Sequence, residues 1–432
     1  MRVSKRICVM VISTVVALAA TACAPGSPAS SGDRSAAPTK IDWKSFKGRK
    51  LTYVYFTDGP ADEKATRSAI TRFESETGAT VNLQIVPYAN LDTSLQARLS
   101  SGQAPEVARV SDWHAYSGVA VDFKQYFGDS YPGQFTTGAA RTVQDTAGHM
   151  LAVPSDLTVN GPFVNVDAFR KAGVAIPAKW TWDQFVADAE KVARANHMPY
   201  AMAIDKSGNR LSTVLSQFGT VLVGPGNKNG LDRQKAEKAL TFFTGLVKNN
   251  TISKDFWLGA GDNYAGGNDQ FLAGQAPVYL SGPWQVGAFA QSAGFTWAAA
   301  PNPCEARCGG FPGGKYMVAF KNSGEPALAA AFVEWMNTTE NQRTIDRTAY
   351  WLPTRQDLTA SGLKYPSHST DMNTFLKDLA NTPDDTFTAN SSPAFTKSAQ
   401  ALITETDKVV AGQEDVKRAV ANLSTAIDAA AR

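Results

Sequence analysis

The hydrophobic pattern of this chain switches repeatedly between strand-like and helix-like periods. Leu51 to Phe56 is a compact apolar and aromatic run, which predicts a buried strand. Ala65, Ala69, Ile70 and Phe73 then share one helical face, and Gly78 supplies the stop. Val81, Leu83 and Ile85 alternate as a strand does. Leu91, Leu95 and Leu99 return to four-residue spacing and end at Gly102, before a third short strand over Val107 to Val110. This β-α-β-α-β order predicts parallel strands joined by crossover helices.

Later segments have the same texture. Thr181 with Gln184 predicts a capping box ahead of the apolar face Phe185, Ala189, Val192 and Ala193. Asp232 opens a helix carrying Ala236, Ala239, Leu240, Phe243 and Val247. Glu325-Pro326 opens another with Leu328, Ala331, Phe332, Trp335 and Met336, since Pro suits the first helical position. Val416, Val420, Leu423 and Ile427 predict a terminal amphipathic helix. All these stripes are read as core.

The N-terminus has a different logic. Arg2, Lys5 and Arg6 precede an apolar run from Ile7 to Ala20, too short to span a bilayer comfortably. That is the layout of an export signal over residues 1–22. Ala20-Thr21-Ala22-Cys23 resembles a bacterial lipobox, which implies lipidation at Cys23; the usual Leu is absent from its first position, and plain secretion is the alternative. Residues 23–42 are rich in Ser, Ala, Pro and Gly and read as a lipid anchor and flexible tether.

Composition narrows the function. A chain of 432 residues with 43% hydrophobic content accommodates two domains. There are 42 basic and 39 acidic residues, and three of the basic ones lie in the export signal, so the remaining body is near neutral. Such a body has no net field to attract nucleic acid. Cys304 and Cys308 remain beyond Cys8 and Cys23, and in an oxidising compartment a short disulfide is favoured over free thiols. The histidines, His114, His149, His197 and His368, lie far from these cysteines in sequence, so no metal site is expected. No G-x-S-x-G or H-E-x-x-H motif occurs. Gly309 to Lys315 spells G-x-x-x-x-G-K, but Tyr316 stands where a phosphate loop needs Ser or Thr, and Pro312 removes an N–H donor. No cofactor is expected.

Four segments, in order, resemble the extracellular solute-binding proteins that serve sugar ABC importers. Leu99 to Val107 resembles the family's helix–Gly–Pro–acid–Val step. Asn165 to Gly173, with Pro177 and Trp180 to Asp183, is similar to a second stretch. Phe271 to Ala276 with Gly282-Pro283-Trp284 is similar to a third. Glu325 to Met336 with Tyr350 to Arg355 is similar to a fourth. Val164, Pro277 and Val278 depart from the family pattern. The resemblance implies an α/β, two-lobe, periplasmic-binding-protein-like (type II) clamp with three interlobe crossings, near Asp156, Gly274 and Ala319. The expected lobes are 43–156 with 276–320 (N-terminal) and 157–275 with 321–432 (C-terminal).

By the same resemblance the protein is a non-enzymatic, monomeric binding protein. It captures a carbohydrate between the lobes, delivers it to ABC permease subunits, and is held outside the membrane by its N-terminal lipid. A sugar needs partners for its hydroxyls and flat surfaces for its C–H faces. Asp58 and Asp112 follow predicted strands at the ends where α/β clefts form, and Asp156 lies near the first crossing; each serves equally well as a cap or loop acid. Glu63 is a weaker companion. Trp284, Trp257 and Tyr264 are candidate stacking surfaces, with core packing or a solvent loop as alternatives. Gly313, Gly314 and Tyr316 are expected along the cleft, or in a simple turn. Tyr350 and Arg355 are candidates to close over ligand, with a structural ion pair the favoured alternative for Arg355. Two other readings stay open: the same fold holding a glycerol-phosphate ester, which would want a cationic cleft, and an exported carbohydrate-active hydrolase, which would want two facing carboxylates.

Overall fold

The computed structural model describes residues 41–432. The export signal, Cys23 and nearly all of the tether lie outside the described residues. The predicted β-α-β-α-β unit forms. Strand Lys50–Tyr55 pairs in parallel with Thr80–Ile85 and with Val107–Val110. Helix Pro60–Thr77 connects the first two, starting on Pro60 and ending at Gly78 in the left-handed conformation, φ 73°. Strand Val107–Val110 is buried at every position, as the centre of a sheet covered on both faces requires.

Two further strands complete this first sheet. Pro312–Ala319 lies antiparallel between Val107–Val110 and Val153–Val159, giving the order Thr80–Ile85, Lys50–Tyr55, Val107–Val110, Pro312–Ala319, Val153–Val159. The second sheet runs Trp297–Ala299, Gly161–Asn165, Val278–Ser281, Met202–Ile204. The capping box at Thr181 and Gln184 is present on helix Trp182–Ala195. Helices Arg233–Lys248, Phe395–Val410 and Val416–Ala430 bury their apolar stripes in the core of the second lobe. The result is a two-lobe α/β clamp. No helix among the described residues is long and apolar enough to cross a membrane.

The lobe limits differ from expectation in two places. Val278–Ser281, expected in the first lobe, is a central strand of the second sheet, antiparallel to Gly161–Asn165 and parallel to Met202–Ile204. Helix Pro326–Met336, expected in the second lobe, packs in the first. Its Phe332 meets Tyr53 and Phe73 edge-on at 5.3 and 5.0 Å, and Trp335 meets Phe73 at 5.5 Å. One of these contacts is to the sheet that the chain has just left, and two are to helix Pro60–Thr77.

The crossings move accordingly. The first is Asn160, between the two sheets' adjoining strands. The second is the segment 300–311, where Cys304 and Cys308 are joined in a disulfide. The third follows Leu352, which bridges Leu157 on the edge of the first sheet, and precedes helix Ser369–Ala380, whose Phe375 packs on Phe163 at 5.4 Å. Gly274 and Ala319 are not crossings: Gly274 lies between two elements of the second lobe, and Ala319 leads into first-lobe helices.

The crossings are tied to one another. The Asn160 N–H donates to the Phe311 carbonyl at 3.0 Å. Asn302 donates its side-chain N–H to the Asn160 carbonyl at 2.7 Å and to Asp378 Oδ2 at 2.9 Å. At Gly310 a β-carbon would stand 1.8 Å from the Asn160 carbonyl oxygen, so only glycine fits. Burial pushes the Asp378 carboxyl up from 3.8 to about 7, against the hydrogen bonds from Asn302. The native state therefore binds the extra proton. This group's contribution to stability is largest in acid and declines as pH rises through the interval from 3.8 to about 7. Asp378→Asn keeps an acceptor for Asn302 and removes the charge. Its stability relative to the parent, measured by urea unfolding, is expected to improve between pH of about 5 and about 8. A difference that stays constant over that interval contradicts the assignment.

Candidate functional site

The carboxyl ends of the three parallel strands open on one cavity of about 370 Å³ between the lobes. Strand Lys50–Tyr55 delivers Phe56 and Asp58, Thr80–Ile85 delivers Tyr88, and Val107–Val110 delivers Ser111, Asp112 and His114. Thr158, Asn160 and the segment Pro312–Tyr316 supply the floor. From the second lobe come Ser207 to Arg210 at the start of helix Gly208–Gln217, Tyr264, Trp284 with Gln285, and positions from Asn390 to Ile403. Ligands of open α/β sheets collect at this end of the strands.

A buried charge cluster underlies the floor. Arg109, 1% exposed, sits inside the all-buried strand Val107–Val110. It donates to the Phe56 carbonyl at 2.8 Å and to Asp58 Oδ2 at 2.8 Å, and it lies 3.5 Å from Asp62 and 3.7 Å from Asp156. The Trp351 and Phe56 rings cover it at 4.4 and 4.5 Å. Lys315 adds a second cation, 3.4 Å from Asp156 and 3.5 Å from Asp58. Burial works against the charge on Asp58, but Lys315 and Arg109 outweigh it and hold the carboxyl below its usual range. Burial dominates at Asp62, whose carboxyl is pushed up to about 6 despite Arg109.

A second cluster faces it from the other lobe. Asp205, wholly buried, accepts from Arg210 Nη2 at 2.5 Å, Ser281 Oγ at 2.8 Å, the Gly267 N–H at 3.0 Å and the Tyr279 hydroxyl. Arg210 also donates to Asn160 Oδ1 at 2.5 Å. Its guanidinium lies 4.5 Å from the Trp284 ring centre, and the Lys315 ammonium lies 5.2 Å from the same centre. The Trp284 ring folds back over Gly282, where a β-carbon would stand 2.1 Å from it. Absence of a side chain at Gly282 therefore sets the ring's position. Across the cavity, Asp112 accepts from His114 at 2.9 Å and from the Thr396 hydroxyl of the opposite lobe at 2.5 Å. These bonds outweigh burial and hold the Asp112 carboxyl low.

Seven of the sequence candidates line this cavity: Asp58, Asp112, Tyr264, Trp284, Gly313, Gly314 and Tyr316. Five do not. Asp156 is 1% exposed and is spent on Lys315, whose backbone N–H it also accepts at 2.7 Å. Glu63 is on the surface, paired with Arg67 at 2.7 Å one helical turn on. Trp257 is sealed in the second core against Phe243 at 5.0 Å. Tyr350 caps helix Thr339–Ala349 and hydrogen-bonds Ser367. Arg355 is structural, donating to Gln134 at 2.8 Å and the Asn337 carbonyl at 3.0 Å, and pairing with Asp357. Sequence reading missed Arg109, Lys315, Asn160, Arg210 and Tyr88. A lone arginine within the run Val107 to Val110 was the available signal for the first.

Removing the cation at the centre of the floor tests this account. Arg109→Met leaves Asp58, Asp62 and Asp156 buried without their common partner, and breaking a buried pair in this way costs about 3–5 kcal/mol. Denaturant unfolding measures it; a loss under about 1 kcal/mol would show that the cluster does not hold the floor together.

The family model for bacterial extracellular solute-binding proteins matches residues 57–343, well over half of the chain. The chain is similar to the multiple sugar-binding protein of Streptococcus mutans, 24% identical over 172 residues, covering 39% of this chain and 40% of that one. It is similar to the maltotriose-binding protein of Pyrococcus abyssi, 25% identical over 221 residues, covering 50% and 45%. The matches thus span less than half the length of these two curated relatives. Among solved structures, an ABC substrate-binding protein of Listeria monocytogenes in complex with cycloalternan superposes with a TM-score of 0.76 at 21% identity, over 88% of this chain and 98% of that one. Maltose-bound MalE3 of T. maritima superposes with a TM-score of 0.74 at 18% identity, over 88% and 99%. At such identities the superpositions speak for the fold, and they agree with the sheet orders described above. The chain belongs to the bacterial extracellular solute-binding proteins.

Proposed function

We propose that this protein captures an uncharged saccharide reversibly in the cavity between its lobes and delivers it to the permease of an ABC importer. Export and lipid anchoring through Cys23 belong to the same reading. The observation that carries it is the lining: both lobes contribute hydrogen-bonding side chains around the Trp284 indole. Asp58, Asp112, Asn160 and Arg210 are each positioned by buried or cross-lobe partners, so they meet a ligand's hydroxyls without reorganising. The sugar-binding names of the two relatives and the saccharides in the two superposed structures point the same way.

Charge argues against a phosphate ester as cargo. The two cations that line the cavity are already matched, Arg210 by Asp205 and Lys315 by Asp58 and Asp156. Three acids, Asp58, Asp92 and Asp112, line the same walls. An anion would meet no uncompensated positive charge.

The pKa pattern argues against Asp58 or Asp112 serving as the general acid of a hydrolase. A glycosidase needs one carboxyl kept protonated as general acid. Asp58 and Asp112 are both held below the ordinary range, so both are anionic at neutral pH. Asp62, whose carboxyl is raised, is buried behind the floor and does not line the cavity.

Thermal unfolding against neutral sugars, sugar acids and glycerol-phosphate esters tests the proposal. One class of neutral saccharide should stabilise the protein, by about 2.7 kcal/mol at a hundredfold excess over Kd. Stabilisation by phosphate esters alone would overturn it, as would release of reducing ends from a bound saccharide. Trp284→Ala should weaken binding at least about tenfold, roughly 1.4 kcal/mol. The variant's ligand-free unfolding temperature should stay close to the parent's, and unchanged affinity would remove Trp284 from the site.

A further inference from the structure

The three large apolar side chains most open to solvent, among the described residues, are Ile85, Tyr88 and Tyr264. Two of them meet. The Tyr88 and Tyr264 rings stand edge to face, 5.2 Å apart at 81°. They come from opposite lobes. Tyr88 follows strand Thr80–Ile85, leans on Phe56 at 5.0 Å and shares a hydrogen bond with Ser111 at 3.1 Å. Tyr264 lies in a second-lobe loop whose next residue, Ala265, exchanges backbone hydrogen bonds with Lys206 at 2.7 and 3.3 Å. Each ring is thus fixed to its own lobe before it meets the other.

Both rings line the cavity, yet they are 42% and 36% exposed. Only residues at the mouth satisfy both conditions. The Thr396 hydroxyl bonded to Asp112 makes a second bridge between the lobes, and both partners also line the cavity. Behind these bridges lies about 370 Å³, at the low end of the range for small-molecule sites. A mono- or disaccharide fits within such a space, whereas a longer chain must run out through the mouth and part the rings.

We propose that Tyr88 and Tyr264 are specificity-determining residues that form an aromatic gate across the mouth and restrict the site to short saccharides. The inference rests on the saccharide-capture reading above. Neither ring is needed to hold its lobe together, since both are partly in solvent, so their removal acts on selection and leaves folding intact. The gate also needs both rings: loss of either one opens it.

Isothermal titration of the full chain with malto-, cello- and xylo-oligosaccharides tests this, using the di-, tetra- and hexasaccharide of each series. The parent should bind the disaccharide of its preferred series at least about tenfold more tightly than the hexasaccharide. Tyr88→Ala and Tyr264→Ala should each shrink that ratio to about twofold or less. The double variant should go no further than either single one, the coupling expected of two side chains that act as a pair. A parent that binds the hexasaccharide as tightly as the disaccharide overturns the gate, and so does a ratio that survives loss of either ring. In those two cases saccharide capture itself stands. Absence of binding to every series and length overturns both readings together.

Discussion

A guanidinium sealed within a four-residue strand, with three carboxylates turned toward it, is the constraint on which the rest of this site hangs. Arg109 joins the ends of three elements, the last of them far along the chain from the other two. Asp58 follows the first strand, Asp62 begins the first helix, and Asp156 lies on the strand leading to the first crossing. Arg109 and Lys315 together face three acids. Burial has raised one of them, Asp62, to about 6, so it takes up a proton more readily than an ordinary carboxylate as pH falls. A buried cluster of this kind adds little net stability, because desolvation cancels most of the attraction. What it adds is position: each carboxylate has one place to be, and the cavity floor inherits that geometry.

The same economy governs the join between lobes. Asn302 lies in the second crossing, accepts a place against the carbonyl of Asn160 in the first, and is held by Asp378 just beyond the third. One side chain therefore reads the position of all three chain segments that link the lobes. Gly310 permits this by leaving room for the Asn160 carbonyl. Motion of one lobe against the other must be absorbed at these few residues, as hinge closure generally is. Asn160 also accepts from Arg210, which lies against Trp284. The hinge and the aromatic surface of the cavity are thus two bonds apart.

Local signals carried much of the fold. The strand and helix succession from Leu51 to Val110, the capping box at Thr181 and the Pro-started helix at Pro326 all arise from periodicity and end chemistry, which are written within a dozen residues. Partner choice is not written that way. Nothing near Val278 says that it pairs with Val164 and Met202, and nothing near Phe332 says that Tyr53 and Phe73 await it. The lobe limits failed at those two places for that reason. The site divides on the same line. Asp58 and Asp112 stand directly after strands, where α/β clefts open, so position along the chain located them, and the family resemblance located Trp284. Tyr350, Trp257 and Arg355 were attractive by residue type, and tertiary packing consumed each one. Lys315 and Arg210 escaped because a charged residue reads as surface until its buried partners are known.

The lack of a free cation in the cavity follows from these pairings rather than from a lack of charge. Six ionic groups, Arg109, Lys315, Arg210, Asp58, Asp156 and Asp205, lie at or just behind its walls, and each is bonded to an opposite number. An anionic ligand would have to displace one partner and leave it buried alone, at a cost of several kcal/mol. A hydroxyl asks for much less, because a carboxylate oxygen accepts several hydrogen bonds and need not release its cation to take one more. Paired charges therefore present strong, oriented acceptors and donors to a polar, uncharged molecule while leaving no free cation for an anionic one. Trp284 fits the same scheme. Two cations near one ring polarise it and fix its plane, so that its remaining surface meets the apolar face of a ligand at an angle set in advance.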